Sequence, residues 1–438
     1  MAETSGTDAE YRAKRPGSKA LYRRARGVFP GGVTHDARYA APFPIYVDRA
    51  RGSRKWDADG NEYVDYWMGH GALLLGHAHP TLVDAVTRQV QRGTQYGACH
   101  ELEIEWGTLV KELMPSVERL RFTSSGTEAV QMALRLARAY TGQTKIVKLD
   151  DHFHGWTDYL APGDAPPGIP GETRGTVVTV PPNDIEALAD VLARDDVAGL
   201  ILEPSGAHMG GAPLRQGYLQ GVRELTERHG TPLIFDEVVT GFRWSAGGVQ
   251  GLLGIKPDLS TFGKIVAGGL PGAAVGGRAD VMAALEFGEA TGPQGHIMHP
   301  GTFNANPLSA AAGVAMLTAV ATGEPSERAA RTSRALAEAM NAALARHEVG
   351  GCVHGESSVL HIVLGPDAPR ADEVPGVVAR GALHRLRANR SLTAQLRRAM
   401  LVNGVDLMSS TMIVSAVHTD EDVERTVDAF DSSLATLP

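Results

Sequence analysis

Cysteine is scarce in this chain. Two residues, Cys99 and Cys352, in 438 positions cannot build a disulfide framework and lack metal-ligand spacing, so a reducing, cytoplasmic setting is expected. Long apolar runs are missing too: none approaches the ~18 residues of a membrane-spanning helix. The polar N-terminus Met1-Ala-Glu-Thr-Ser-Gly-Thr-Asp8 has no apolar stretch behind it, and no signal peptide is expected. No block of Lys and Arg stands out, and a net charge of -8 argues for solubility, with neither nucleic acid nor membrane as partner. The Gly-x-x-x-x-Gly-Lys-Ser/Thr loop of nucleotide-binding proteins is absent. His70, His77 and His79 share one short stretch, but no carboxylate or thiol completes a ligand set and no metal is expected.

Glycine, in contrast, is plentiful. Many of the 51 glycines come in pairs such as Gly31-Gly32, Gly210-Gly211 and Gly268-Gly269, which predicts tight turns where backbone approaches a ligand or another chain. The length suits two or three domains with ample core.

Pro42–Val47 and Lys55–Tyr66 alternate around a turn at Asp59-Gly60, a hairpin signal. From about residue 100, helical periodicity over 101–114 and 127–140 alternates with apolar, β-branched runs at 145–149, 176–180, 198–202 and 232–235. That rhythm predicts an α/β protein with a mostly parallel sheet covered by helices on both faces. Ligands of such sheets bind beyond the carboxyl ends of the strands, and Glu203, Asp236 and Lys264 all fall just after strand-like runs. The last section loses the rhythm and reads as a separate α+β domain, its final helix opened by a capping box at Thr419-Asp-Glu-Asp422. The expected division is 1–75 for an N-terminal arm and part of a small domain, 76–320 for a large domain, and 321–438 for the rest of the small one.

Asp236 ends the run Pro232-Leu-Ile-Phe-Asp236, and Lys264 ends Asp258-Leu-Ser-Thr-Phe-Gly-Lys264. An amine able to form a Schiff base and a carboxylate able to hold a pyridine nitrogen protonated suit a pyridoxal phosphate site. A strand-end Asp and a solvated loop Lys would look the same. Ser124-Ser-Gly-Thr-Glu128 opens a strongly helical segment; it could be a plain N-cap by Ser125, or a cradle of N–H groups and hydroxyls around a phosphate.

Seven segments in order resemble the class III aminotransferases, a family that includes the glutamate-1-semialdehyde aminomutases. They are Trp56–Asp65, Ser125-Gly-Thr-Glu-Ala129, Phe153-His-Gly155, Glu203-Pro204, Asp236-Glu-Val-Val-Thr-Gly-Phe-Arg243, Thr261-Phe-Gly-Lys264 and Gly301-Thr-Phe-Asn-Ala-Asn-Pro307. The resemblance runs from about Pro30 to Asp428. It implies the fold type I of pyridoxal phosphate enzymes: a large domain with a mostly parallel seven-stranded sheet between helices, and a smaller α+β domain. It also implies a catalytic set of Lys264, Asp236 and Glu203, with Lys264 as Schiff-base lysine and proton shuttle, Asp236 as partner of the pyridine nitrogen, and Glu203 near the cofactor hydroxyl. Ser125, Gly126 and Thr127 would hold the phosphate. Phe153 and Val238 would pack on the two ring faces, with His154 beside them. Thr302 would reach the phosphate of a neighbouring subunit, making the protein a homodimer with its active site at the interface.

The implied reaction is a ping-pong transfer of an amino group from a small-molecule donor to a keto or aldehyde acceptor. Segments 236–243 and 269–278 resemble the branch near the aminomutases. Gly404–Ser415, however, stands where mutases carry Ser-Gln-Phe-Glu-Ala, and Gly31–Tyr39 lacks their Asn-Ser-Pro-Val-Arg. The arm segment Tyr39-Ala-Ala-Pro-Phe-Pro44 is similar to that of aromatic β-amino acid aminotransferases, with His35 where those enzymes place an arginine. A transaminase of amines or β-/ω-amino acids is therefore expected, with an aminomutase and a catalytically silent binding protein as alternatives. Arg38 or Arg243 could fork a substrate carboxylate, and either could equally form a structural salt bridge. His35 and Met408 complete the expected substrate pocket.

Overall fold

The computed structural model describes residues 6–163, 166–288, 295–371, 373–374, 386 and 389–437. They fall into two units. Met1–His79, Arg328–Ala371 and Arg387–Pro438 make up one, and Pro80–Glu327 with Asp372–Leu386 the other. Two seams lie after residues 79 and 327, where the sequence suggested 75 and 320, and the assignment of Asp372–Leu386 to the larger unit departs from the expected 321–438.

The larger unit is built on a seven-stranded sheet in the order Arg119–Thr123, Ala273–Gly277, Leu259–Phe262, Leu233–Glu237, Val197–Leu202, Lys145–Leu149, Val177–Val180. The strands from Leu259–Phe262 through Val177–Val180 run parallel, and Ala273–Gly277 is antiparallel to both its neighbours. The three central strands, Val197–Leu202, Leu233–Glu237 and Leu259–Phe262, are buried at every position. A strand covered on both faces has no polar side, so Val197–Leu202 and the first three residues of Leu233–Glu237 read as continuous apolar runs, while Leu259–Phe262 carries the buried Ser260 and Thr261. Helix Gly126–Thr141 lays Val130, Ala133, Leu134 and Ala137 against Ile146, Ile201, Ile234 and Val275. Each large apolar side chain buried in this way contributes about 1.5–3 kcal/mol. The helix ends at Gly142 in the left-handed region, φ 72°, where glycine has no Cβ to strain.

Ala273–Gly277 was not anticipated as a strand. Its sequence, Ala-Ala-Val-Gly-Gly, has little β-propensity, yet all five residues are buried. The small side chains are needed because a Cβ on Gly276 would lie 3.0–3.1 Å from Val117, Arg119 and Leu120.

In the smaller unit Arg54–Asp57 and Glu62–Asp65 form the expected hairpin. Asp57 Oδ1 accepts the N–H groups of Asp59 (3.0 Å) and Asn61 (2.9 Å) across the turn. Val47–Arg51 pairs on one side of it, and Val405–Asp406 from the C-terminal section pairs in parallel on the other. A second sheet joins Gly351–Glu356, Val359–Leu364 and Thr411–Ile413. Tyr66, Leu336, Met340, Met412 and Phe430 lie in the core between these elements. The capping box at Thr419 and Asp422 opens the last helix, Asp420–Leu434. Among the described residues no helix is long and apolar enough to cross a membrane.

Candidate active site

The candidate site of the larger unit lies at the carboxyl end of the strand Leu233–Glu237. Asp236 and Glu237 are consecutive, so strand alternation sends their side chains to opposite faces. Asp236 Oδ2 lies 2.7 Å from His154 Nδ1, and its Oδ1 accepts from the Val238 N–H (3.1 Å) and the Thr261 hydroxyl (3.3 Å). Thr261 stands opposite Asp236 in the parallel register. His154 is buried, and burial lowers its pKa against the pull of the Asp236 charge. A neutral ring donates Nδ1–H to the carboxylate, and its buried Nε2 has no hydrogen-bond partner among the described residues. Three bonds leave Asp236 room for one more donor, because a carboxylate accepts about four.

Lys264 follows the strand Leu259–Phe262 and opens the short turn Lys264–Ala267 at φ 52°. A left-handed conformation is costly for a side chain with a Cβ and persists only where the surroundings enforce it. Here Trp106 Nε1 donates to Val266 O at 2.8 Å, while the Trp106 ring stacks on Phe122 with centroids 3.8 Å apart. Helix Pro307–Val320 closes over the turn at Gly313, where a Cβ would collide with the Trp106 indole. The amine is held with a lowered pKa, chiefly by burial, while the charges of Asp236 and Glu203 pull the other way. Lowering favours the neutral, nucleophilic form of a lysine.

Glu203 ends the strand Val197–Leu202 and grips backbone. Its Oε1 accepts from Phe153 N (2.8 Å) and His208 N (3.0 Å), and its Oε2 from Met209 N (3.0 Å). His208 and Met209 both have positive φ, 49° and 64°, and this clamp holds them. Burial raises Glu203 to about pKa 7; the Phe153 N–H opposes that and the nearby Asp236 charge adds to it. Phe153 in turn stacks on His208 with centroids 5.8 Å apart, and the residue is still 43% exposed.

Ser125 caps helix Gly126–Thr141, its hydroxyl accepting from Glu128 N at 3.3 Å. The N–H groups of Gly126 and Thr127 make no hydrogen bond among the described residues, as expected for a helix start that can receive an anion. The cradle is tight. A Cβ on Gly126 would lie 2.9 Å from Val238 Cγ1, one on Gly263 3.0 Å from the same atom, and one on Gly155 2.6 Å from Thr127 Oγ1. The helix start, the Asp236 strand and the residues flanking Lys264 thus meet at Val238, and the Phe153 loop rests on Thr127. A phosphorylated pyridine fits these groups: open N–H groups for the phosphate, a carboxylate with one acceptor position left, and a buried amine whose pKa burial lowers.

Ser125, Gly126, Thr127, Phe153, His154, Glu203, Asp236, Val238 and Lys264 thus belong to one neighbourhood. Thr302 is exposed, and its carbonyl accepts from Gln95 Nε2. Arg243 is completely buried, and burial pulls its pKa down to about 10. His35, Arg38 and Met408 belong to the smaller unit. His35 caps the turn Asp36–Arg38 and its ring lies 4.6 Å from that of His70. Arg38 donates to Thr34 Oγ1 at 3.0 Å, and Met408 exchanges backbone hydrogen bonds with Thr411. His77, considered with His70 and His79 as a metal ligand, lies 2.7 Å from Asp65 Oδ2 instead. Sequence reasoning gave no role to Thr261, His208 or Met209. The first was visible within the Thr261-Phe-Gly-Lys264 segment, but backbone donors such as His208 and Met209 leave no sequence signal.

Residues 35–389 match the family Aminotransferase class-III. The chain is 37% identical over 433 residues to a glutamate-1-semialdehyde 2,1-aminomutase of Thermoplasma acidophilum, with 95% of this chain and 99% of that protein covered. Its fold is similar to that of an omega-transaminase from Sphaerobacter thermophilus, with TM-score 0.86, 35% identity, and coverage of 97% of this chain and 99% of the other. It is also similar to a beta-phenylalanine aminotransferase from Variovorax paradoxus, with TM-score 0.82, 32% identity, and coverage of 97% and 96%.

Proposed function

The chain belongs to the class III aminotransferases, and from that premise we propose that it transfers an amino group from an amine or a β-/ω-amino acid to a 2-oxo acid by a ping-pong mechanism with pyridoxal 5'-phosphate. The observation that carries this reading is the placement of Lys264 beside Asp236, where burial lowers the amine's pKa and the carboxylate keeps an open acceptor position. The cofactor, when bound, supplies an electron sink for the carbon that loses its proton.

The chain's own residues divide the remaining work. Asp236, fixed by His154 and Thr261, receives the pyridine N–H. Ser125 and the N–H groups of Gly126 and Thr127 hold the phosphate. Phe153 and Val238 confine the ring from two sides, with Glu203 fixing Phe153 through its backbone. Lys264 Nζ moves the proton at the substrate carbon. Thr302 serves the phosphate site of a second copy in a homodimer, and the exposure of Trp156, Phe287, Met298 and Phe303 supports a covered face there. A cytoplasmic location agrees with two unpaired cysteines. His35, Arg38, Arg243 and Met408 are the candidates for contact with substrate. Of these, Arg38 has a guanidinium within reach of solvent, whereas Arg243 is sealed.

The similarity to aminomutases supports a second reading, glutamate-1-semialdehyde 2,1-aminomutase. The absence of Ser-Gln-Phe-Glu-Ala and Asn-Ser-Pro-Val-Arg favours the transaminase. A panel of amino donors that includes β-phenylalanine, 1-phenylethylamine and glutamate-1-semialdehyde, each with pyruvate or 2-oxoglutarate, separates the two. Amino transfer to an external oxo acid is expected. Conversion of glutamate-1-semialdehyde without any acceptor, and of nothing else, would establish the mutase.

A further inference from the structure

Two buried histidines flank Phe153. His154 meets Asp236, whereas His152 meets the backbone of Glu203, its Nδ1 accepting the Glu203 N–H at 2.9 Å. A turn after the strand Lys145–Leu149 fixes His152: its N–H donates to Leu149 O (3.3 Å), Asp151 takes φ 63°, and Lys148 Nζ donates to His152 O at 3.2 Å. The His152 ring is thus anchored to the residue whose side chain holds the Phe153 N–H.

The two rings have opposite polarity. Burial lowers the pKa of both, well below the ordinary value for His152, and the Lys148 charge acts in the same direction on each. A neutral imidazole carries one proton. In His152 the N–H accepted at Nδ1 leaves that proton on Nε2, whereas in His154 the carboxylate draws it to Nδ1 and leaves Nε2 a bare acceptor. Both Nε2 atoms are buried without a hydrogen-bond partner among the described residues. An orphaned donor and an orphaned acceptor are each costly in a protein interior. Ring centroids 6.0 Å apart are too distant for a direct bond, but one small molecule that both accepts and donates would satisfy the two nitrogens. Ser205 and Thr157, close in sequence to Glu203 and His154, also bury hydroxyls without partners. No group of three or more metal-binding side chains occurs among the described residues, and two neutral rings of opposite polarity call for a neutral bridge.

We infer that a water molecule bound between the rings accepts the His152 Nε2–H and donates to His154 Nε2, which makes His152 a positioning residue for Asp236. Hydrogen bonds in a chain polarise one another. A donor at Nε2 draws charge from the His154 ring and strengthens its Nδ1–H bond to Asp236. The benefit to a pyridine nitrogen rests on the proposed role of Asp236, whereas the bridge itself does not.

Substitution separates the two nitrogens of His152. His152→Asn keeps an acceptor for the Glu203 N–H and removes the Nε2 donor; His152→Gln keeps a donor amide near the Nε2 position and gives up the Nδ1 acceptor. The readout is the low-field proton resonance of His154 Nδ1–H, identified by its loss in His154→Phe, in the full-length protein with and without pyridoxal 5'-phosphate. An upfield shift is expected in His152→Asn and an unmoved resonance in His152→Gln. A merely structural role, acting through the Glu203 backbone, predicts the reverse. The same pattern is expected without cofactor, so a failed cofactor assignment leaves this test standing. A resonance unmoved in His152→Asn, or moved equally by both substitutions, overturns the proposal. If a variant does not fold or the resonance is too broad to follow, a crystal structure of the unaltered protein decides: an ordered water within about 3.2 Å of both Nε2 atoms sustains the bridge, and its absence overturns it.

Discussion

Asp236 and Glu237 are adjacent, both buried, and at the same end of one strand, yet their surroundings differ. On one face Asp236 meets His154, Thr261 and the Val238 N–H and keeps an acceptor position. On the other, Glu237 takes the Thr240 hydroxyl (2.6 Å), the N–H groups of Val249 (3.0 Å) and Gln250 (3.1 Å), and the Gln250 amide (3.3 Å). Gly248 presses against it so closely that a Cβ would lie 2.6 Å from Oε2. Burial alone does not make a buried carboxylate functional; spare hydrogen-bonding capacity does. Asp236 is left with something to bind, whereas Glu237 has four donors and ties the segment after the strand to the sheet.

The largest effect expected on the Asp236 face comes from its partner amine. Lys264→Ala should cost roughly 10³-fold or more in single-turnover amino transfer, at the upper part of the range for a lost acid–base group, with thermal unfolding little changed. Asp236→Asn should follow with a loss of about 10²-fold, measured in the same assay, because an amide cannot keep the pyridine nitrogen protonated. Glu237→Gln should show the opposite pattern. Its amide NH₂ would face donors, costing about 1–3 kcal/mol in urea unfolding, with turnover changed less than in Asp236→Asn. If Glu237→Gln lost activity without losing stability, the contrast between the two faces would be broken.

Glu203 sharpens the comparison through pH. Its folded pKa of about 7 lies above the ordinary 4.5, so the folded state binds the extra proton between those values. Stability should therefore fall as pH rises from about 4.5 to 7 and level off above. Melting temperatures between pH 5 and 8 should show this slope in the unaltered protein and a flatter one in Glu203→Gln. Gly126→Ala should give the smallest effect, a destabilisation of about 1–3 kcal/mol from overpacking against Val238, part of it recovered in the double variant with Val238→Ala.

The strands Val197–Leu202 and Leu233–Glu237 and the positions of Glu203 and Asp236 could be read from the sequence because these buried parallel strands are apolar runs whose ends show where polarity begins, whereas Lys264 was legible through the segment Thr261-Phe-Gly-Lys264. Ala273–Gly277 escaped because close packing against neighbouring strands, and not side-chain propensity, makes it a strand. The Glu203 clamp escaped for a related reason: its partners are backbone N–H groups, which every residue carries. The pairing of Val405–Asp406 with the N-terminal hairpin joins segments some 340 residues apart, Asp65 to Asp406, and no local pattern announces such a contact.

The most direct measurement is reduction of the pyridoxal phosphate-loaded protein with sodium borohydride, followed by peptide mass mapping. A single pyridoxyl adduct on Lys264 is predicted, and it should be lost when the amino donor is added before reduction. An adduct on any other lysine, or none at all on protein that transfers amino groups, would contradict the assignment of Lys264 and Asp236 as the reacting pair.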